Sequence, residues 1–184
     1  VLSNLQRELG KTFVYVTHSQ SEAFSMADRV VIMSRGRIEQ VGAPRDIYRT
    51  PRTRFVAEFL GASNVFAGRV ARAPEGDIRI ETSSGAFAVA DGHALRVGDD
   101  TTLVVSDDRV QLSIDRPATG NALEARILAE EFVGATAIVH LEAAGGQELR
   151  AQKSHDEMAH LSLPPGAKVW VTWSPDAGHV LSGH

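Results

Sequence analysis

From Asn64 onward the chain runs in short segments of alternating apolar and polar residues, separated by glycine-containing turns, and this pattern occurs twice. Asn64…Arg69-Val70 matches Asn121…Arg126-Ile127 at an offset of 57 residues. Val97-Gly98 and Ser106-Asp107-Asp108 match Pro165-Gly166 and Ser174-Pro175-Asp176 at an offset of 68, and Leu112-Ser113 corresponds to Leu181-Ser182. The copies span about 64–113 and 121–182, the second being longer by the difference of the offsets, 68 − 57 = 11 residues. The extra length is expected in longer strands, in the turn Ala143–Gln147 and in a loop over Ser154–Leu163. A strand of this kind buries only one face, so several must share a core, which predicts a small all-β barrel or sandwich. Two interlocked half-barrels and one barrel drawn from both copies fit equally well.

Residues 1–63 are patterned differently. Leu2, Leu5 and Leu9 recur at helical spacing, with Gly10 placed as the C-terminal cap. Thr12–Thr17 is a β-branched and aromatic run of strand length and predicts a buried strand. Ser19-Gln20-Ser21-Glu22 has the form of a capping box opening a helix over Gln20–Ala27. Val30–Met33 predicts a second buried strand, turned by Arg35-Gly36 into Arg37–Val41. Pro44 suits the first turn of a short helix reaching Tyr48 or Arg49, and Phe55, Val56, Phe59 and Leu60 mark another before Gly61. The fold class is thus an α/β segment over 1–63 followed by an all-β barrel over 64–184. So few strands cannot cover their own edges and faces. Unpaired edges of that kind invite association, so residues 1–63 are expected to be partly disordered or packed on a second copy, and the barrel well formed. The start at Val1, inside a helical pattern, predicts a piece of a longer protein.

Charge is divided unevenly. Residues 1–63 hold 9 Lys/Arg against 6 Asp/Glu and residues 64–184 hold 10 against 17, so balances of +3 and −7 sum to the net −4. An acidic barrel argues against a phosphate-backbone binder, and no nucleic-acid partner is expected. With no cysteine in the chain, thiolate metal sites are excluded, and a reducing compartment fits.

Chemistry concentrates around His18. A histidine at the C-terminal tip of a strand, just before a capped helix, lies where α/β sheets place ligand-handling groups. The helix start favours anions, and the imidazole can donate a hydrogen bond to a phosphate oxygen. A histidine that only closes a loop is the other reading of that spacing.

The run Val16-Thr17-His18-Ser19-Gln20-Ser21-Glu22-Ala23, then Ala27-Asp28-Arg29-Val30, then Gly36–Pro44, closely resembles the ATP-binding subunits of ABC importers of the sugar, polyamine and ferric-iron branch. Ile47-Tyr48, Pro51 and Phe55–Gly61 extend the likeness over nearly all of 1–63. The resemblance implies that His18 is the switch histidine contacting the ATP γ-phosphate, with ATP and Mg²⁺ as cofactors of the intact parent and none for this chain alone. The family's aspartate after that histidine is Ser19 here, an equally good N-cap. No Gly-x-x-x-x-Gly-Lys-Ser/Thr phosphate loop, Leu-Ser-Gly-Gly-Gln signature or acidic magnesium-positioning strand occurs in the sequence. Phosphoryl transfer depends on those elements, so this chain alone is not expected to hydrolyse ATP. The resemblance implies that an intact parent carries them upstream of Val1, where relatives have them.

The barrel is similar to the family's transport-associated, oligonucleotide-fold-like domain. Val97-Gly98-Asp99, Pro165-Gly166 and the closing Ser174-Pro175-Asp176…His179-Val180-Leu181 carry that likeness. The resemblance implies a regulatory and dimerising role, partners in a second ATPase subunit and two membrane-spanning permeases, an indirect link to a solute-binding protein, and a place at the cytoplasmic face of the membrane. The ending Lys168–Asp176 looks more like polyamine importers than sugar importers. A stand-alone cytoplasmic barrel that binds a small solute is the alternative, with a ligand between the copies.

Trp170 and Trp173 lie three apart in a strand and so on opposite faces, Trp173 with Val169 and Val171 toward the core. His155 and His160, beside Asp156 and Glu157, have no metal-ligand spacing and read as a solvated loop. Asp99-Asp100 and Asp107-Asp108 read as turn residues. No metal site is expected.

Overall fold

The computed structural model describes residues 2–61, 64–90, 95–161 and 163–181. The chain divides into two compact units, Val1–Leu60 and Gly61–His184.

In the first unit, helix α1 (Leu2–Leu9) ends where the Gly10 amide donates to the Gln6 carbonyl at 3.0 Å. Helix α2 (Gln20–Met26) is followed by an antiparallel hairpin of β1 (Val30–Ser34) and β2 (Arg37–Gly42). The turn between them needs two residues with positive φ, which Arg35 (φ 48°) and Gly36 (φ 76°) supply. Such a two-residue turn matches the right-handed twist of the strands it joins. Helices α3 (Pro44–Arg49) and α4 (Arg54–Phe59) then pack back on the hairpin. Val30, Ile32, Ile47 and Val56 form a small core, flanked by Ala23, Phe24, Ala27 and Leu60. The buried Gln40 side chain ties the α3–α4 connection down: its amide donates to the Thr50 carbonyl at 3.0 Å and its oxygen accepts from the Arg52 amide at 2.8 Å.

Two expectations need correction here. Thr12–Thr17 forms no ladder, and Val14 and Val16 are 89% and 91% exposed. A strand propensity is realised only against a hydrogen-bonding neighbour, and none of the described strands lies alongside this run. Likewise β1 and β2 form a two-stranded sheet by themselves. Only one face of β1 is covered, by Val30 and Ile32, while Val31 and Met33 face out.

The second unit holds two five-stranded antiparallel sheets. Its strands are β3 (Asn64–Arg72), β4 (Ile78–Thr82), β5 (Gly85–Ala88), β6 (Asp100–Val105) and β7 (Gln111–Ser113), then β8 (Asn121–Val133), β9 (Thr136–Ala143), β10 (Gln147–Ser154), β11 (Lys168–Trp173) and β12 (Gly178–Leu181). One sheet has the order β12-β6-β3-β4-β5 and the other β7-β11-β8-β9-β10. Read by position the orders are the same, except that the closing strand of each half pairs in the other sheet. β7 pairs with β11, and β12 with β6. The turns feeding the fourth strands also share their bonds. Gly98 donates to Val70 at 2.8 Å and Val70 to Asp99 at 2.9 Å, while Gly166 donates to Ile127 at 2.7 Å and Ile127 to Ala167 at 2.9 Å.

Both sheets feed one core. Phe66 of β3 stacks with Trp173 of β11 at 5.6 Å, and Phe87 of β5 tilts against the same indole at 4.8 Å. Around them pack Val70, Ile80 and Leu103 from one sheet and Leu123, Ile127, Val139 and Leu149 from the other. Gly68 marks a close approach: a Cβ there would lie 2.4 Å from the Glu81 carbonyl oxygen.

Two buried asparagines join the sheet edges. Asn64, 1% exposed at the start of β3, accepts from the Arg150 amide of β10 at 2.8 Å and donates to the Arg150 carbonyl at 2.9 Å. Asn121, 4% exposed at the start of β8, accepts from the Ala88 amide of β5 at 2.7 Å and donates to the Ala88 carbonyl at 2.9 Å. A side-chain amide presents one acceptor and a donor in the geometry of a peptide group, so each asparagine acts as one rung of ladder across a seam where strands do not pair.

The second unit is not wholly β. Ser154–Leu163, expected as a solvated loop, contains helix α5 (His155–Leu161), with Met158 buried in the core. Its start is a reciprocal capping box: the Ser154 amide and hydroxyl donate to Glu157 at 2.9 and 2.8 Å, and the Glu157 amide donates to the Ser154 hydroxyl at 3.3 Å. Among the described residues no helix is long and apolar enough to cross a membrane.

Losing either asparagine amide takes that partner from a half-buried backbone N–H and C=O. Asn64→Ala and Asn121→Ala are each expected to destabilise the barrel by about 1–3 kcal/mol in urea unfolding. A loss below about 0.5 kcal/mol for both, the usual range of surface changes, would contradict the bridging role.

Candidate functional site

The His18 turn is built by its neighbours. Ser19 is the N-cap of α2, in extended conformation (φ −88°, ψ 112°), and its hydroxyl accepts from the Glu22 amide at 3.4 Å. In a reciprocal capping box the Glu22 carboxylate would return to the Ser19 amide. Here it does not. The Ser19 amide donates to the Thr17 hydroxyl at 3.0 Å, and that hydroxyl donates to Glu22 Oε2 at 2.7 Å. The same carboxylate oxygen accepts from the Tyr15 hydroxyl at 3.1 Å. Tyr15 and Thr17 are two apart in an extended run and therefore share a side. His18 sits inside this relay, with its imidazole exposed. A solvent-facing ring nitrogen can donate one hydrogen bond to an anionic oxygen arriving from outside.

The hydrogen bond to Glu22, and then the negative charge of that carboxylate, hold the Tyr15 phenol above its ordinary pKa. Ionising the phenol would remove the donor and set two anions side by side. The link is therefore complete below the ordinary phenol range and is lost as pH rises through the elevated value.

The second candidate is an open cleft of about 590 Å³ on the barrel, lined by residues of β3, β4 and β6 that include Gly68, Arg69, Glu81, Thr82, Asp100 and Thr101. Its one cation is committed: Arg69 Nε bonds Asp100 at 3.0 Å across one ladder and pairs in register with Glu81 across the other.

The remaining sequence candidates fall outside both places. Trp173 is core, and its indole N–H has no hydrogen-bond partner among the described residues. Trp170, half-buried on the outer face of β11, lies under the Arg116 guanidinium at 5.1 Å. The His155 ring stacks on Phe132 at 4.7 Å and bonds the Gly134 carbonyl at 2.7 Å, fixing the start of α5 to the tip of the β8–β9 hairpin. The side chain of His160 lies outside the described residues. Asp99 is in a turn, Asp100 opens β6, and Asp107-Asp108 begin a 3₁₀ turn. Burial pushes the Asp107 carboxyl up, partly opposed by the Arg150 guanidinium. Among the described residues no group of three or more His, Cys, Asp or Glu could hold a metal ion.

Sequence reasoning missed Lys153, which is 4% exposed and bonds Gln111 Oε1 at 3.0 Å. The signal was there, since Leu149, Ala151 and Lys153 alternate onto the inner face of β10. It also missed the Thr17 relay.

A family model described as a TOBE domain matches residues 108–181. Curated relatives include proteins named "Spermidine/putrescine import ATP-binding protein PotA" from Frankia alni, 36% identical over 98% of this chain and 41% of its own length, and from Acidothermus cellulolyticus, 37% identical over 98% and 48%. Another, from Escherichia coli strain K12, is named "Uncharacterized ABC transporter ATP-binding protein YdcT" and is 38% identical over 95% of this chain and 45% of its own length. The chain thus spans less than half the length of these relatives. Among solved structures, the cytoplasmic molybdate-binding protein ModG, crystallised with molybdate bound, superposes with a TM-score of 0.59 at 26% identity. The match covers 66% of this chain and 97% of that one, and the mostly β fold here is accordingly OB-like.

The relay gives a direct titration test. The chain's other tyrosine is Tyr48, so in a Tyr48→Phe background ultraviolet titration reads Tyr15 alone; its phenol should ionise late, and Glu22→Gln should return it toward the ordinary range. A titration unchanged by that substitution would show that Tyr15 does not bond Glu22.

Proposed function

We infer that this chain belongs to the family of ABC-importer ATP-binding subunits carrying a TOBE domain, and that it contributes a switch histidine and an OB-like accessory barrel to such a subunit. The observation that carries this reading is the His18 turn, an exposed imidazole held at the mouth of a capped helix in a run that matches those relatives over nearly its whole length. In the intact subunit His18 donates a hydrogen bond to the γ-phosphate of ATP and helps to orient the attack on it. ATP with Mg²⁺ supplies the phosphoryl group and its charge neutralisation. Of the groups that phosphoryl transfer requires, this chain offers the histidine alone, so hydrolysis belongs to the parent and not to these residues by themselves. The names of the Frankia and Acidothermus relatives support spermidine or putrescine as the imported solute. The partners that go with this reading are a second ATP-binding subunit and two permease subunits at the inner face of the membrane, with a solute-binding protein acting through them.

We further infer that residues 64–182 are two copies of one five-strand unit. The common sheet order, the matched bonds at Gly98 and Gly166, and the paired asparagines support this. Regulation and contact between subunits are the roles such a barrel suits.

A second reading, a small-ligand module, draws on the likeness to ModG. Charge weighs against an oxyanion in the cleft, where Arg69 already faces Asp100 and Glu81. Molybdate is expected to leave the melting temperature unchanged. A saturable rise with concentration would favour the ligand module instead.

His18→Ala in the intact subunit is expected to lower the ATP turnover rate by about a hundredfold or more, in the range found for groups that act on the transition state. Turnover within about twofold of the unsubstituted subunit would sink the assignment of His18, since so small a change leaves the transition state untouched.

A further inference from the structure

The chain contains two Ser-x-x-Glu sequences, each opening a helix, and they are wired differently. At α5 the box closes on itself, with Glu157 accepting directly from the Ser154 amide at 2.9 Å. At α2 the residue types and spacing are the same, but the carboxylate is diverted. Glu22 accepts from the Thr17 and Tyr15 hydroxyls, and the Thr17 hydroxyl in turn accepts from the Ser19 amide at 3.0 Å. The diversion brackets one residue. His18 lies between Thr17, whose side chain is held from both sides, and Ser19, whose amide and hydroxyl are both bonded.

We propose that Glu22 is a positioning residue for His18, acting through the Thr17 hydroxyl to fix the backbone turn that presents the imidazole. This rests on the assignment of His18 to the γ-phosphate given above. Glu22 and Tyr15 are exposed, so the relay contributes little to holding the unit together, since exposed hydrogen bonds compete with water. Its consequence is geometric. An imidazole on an exposed turn samples many directions, and a donor displaced by about 1 Å can lose up to about a hundredfold in rate. Thr17 and Glu22 remove that freedom at the two residues flanking the ring.

The test uses the intact ATP-binding subunit and two readouts, amide hydrogen exchange without nucleotide and steady-state ATP turnover. Glu22→Ala and Thr17→Val break the relay at different points, and Glu22→Gln keeps an acceptor for the Thr17 hydroxyl. Both breaking variants should raise exchange at the His18 and Ser19 amides and lower kcat by about tenfold with little change in KM for ATP. Glu22→Gln should recover most of both. Either variant alone suffices if the other fails to fold. Faster exchange with unchanged kcat would overturn the proposal and leave Glu22 a local brace of the Tyr15–Thr17 run only. Unchanged exchange in both variants would overturn it as well. His18→Ala, run alongside, separates the two levels. If it turns over normally, the assignment of His18 fails; if it is inactive while Glu22→Ala is normal, the positioning role fails by itself.

Discussion

Asn64 and Asn121 join the two sheets of the barrel through their side-chain amides. Each begins the central strand of one sheet and spends its amide on the outermost strand of the other. Without those rungs half-buried backbone groups of Arg150 on β10 and Ala88 on β5 would lose their partners. With them, Phe66, Phe87 and Trp173 pack ring on ring in the buried core. The exchange of closing strands works toward the same end. Since β12 completes the first sheet and β7 the second, neither half can fill its own sheet, and the core becomes common to both.

The first unit shows the reverse situation. Its small core of Val30, Ile32, Ile47 and Val56 covers one face of a hairpin, while Val14, Val16, Val31, Met33 and Ile38 remain exposed. The residues with chemical meaning sit on that uncovered side of the sequence, in the turn around His18. Local hydrogen bonds shape the turn even where no sheet supports it. Ser19, Thr17 and Glu22 supply the order that a neighbouring strand would otherwise give.

Features that depend on near neighbours were legible in the sequence. The Arg35-Gly36 turn, the Ser19 cap, Pro44 at a helix start and the inward face of Trp173 all follow from local geometry and periodicity. Features that depend on distant partners were not. Thr12–Thr17 has every local mark of a strand, but a ladder needs a second strand, and composition is silent about where that lies. Asn64 and Asn121 were visible as matching positions; their bonding was not, because the partners lie 86 and 33 residues away. The strand exchange is hidden for the same reason, since β7 and β12 look alike whichever sheet they join. Helix α5 is a different kind of miss. Ser154 and Glu157 have the capping-box spacing, but His155, Asp156, Glu157 and His160 together read as solvated loop. At the site, His18 stood out through its surroundings, whereas Thr17 and Glu22 looked like ordinary strand and cap residues.

The claim on which the account of the barrel turns is that its two halves form one cooperative unit. Native-state hydrogen exchange across residues 64–181 in increasing denaturant tests this directly. Amides of β3, β6, β8 and β11 are expected to converge on a single opening free energy with one denaturant dependence. If β3–β6 open together at lower free energy while β8–β11 stay protected, the halves are separable and the exchanged strands do not bind them into one fold.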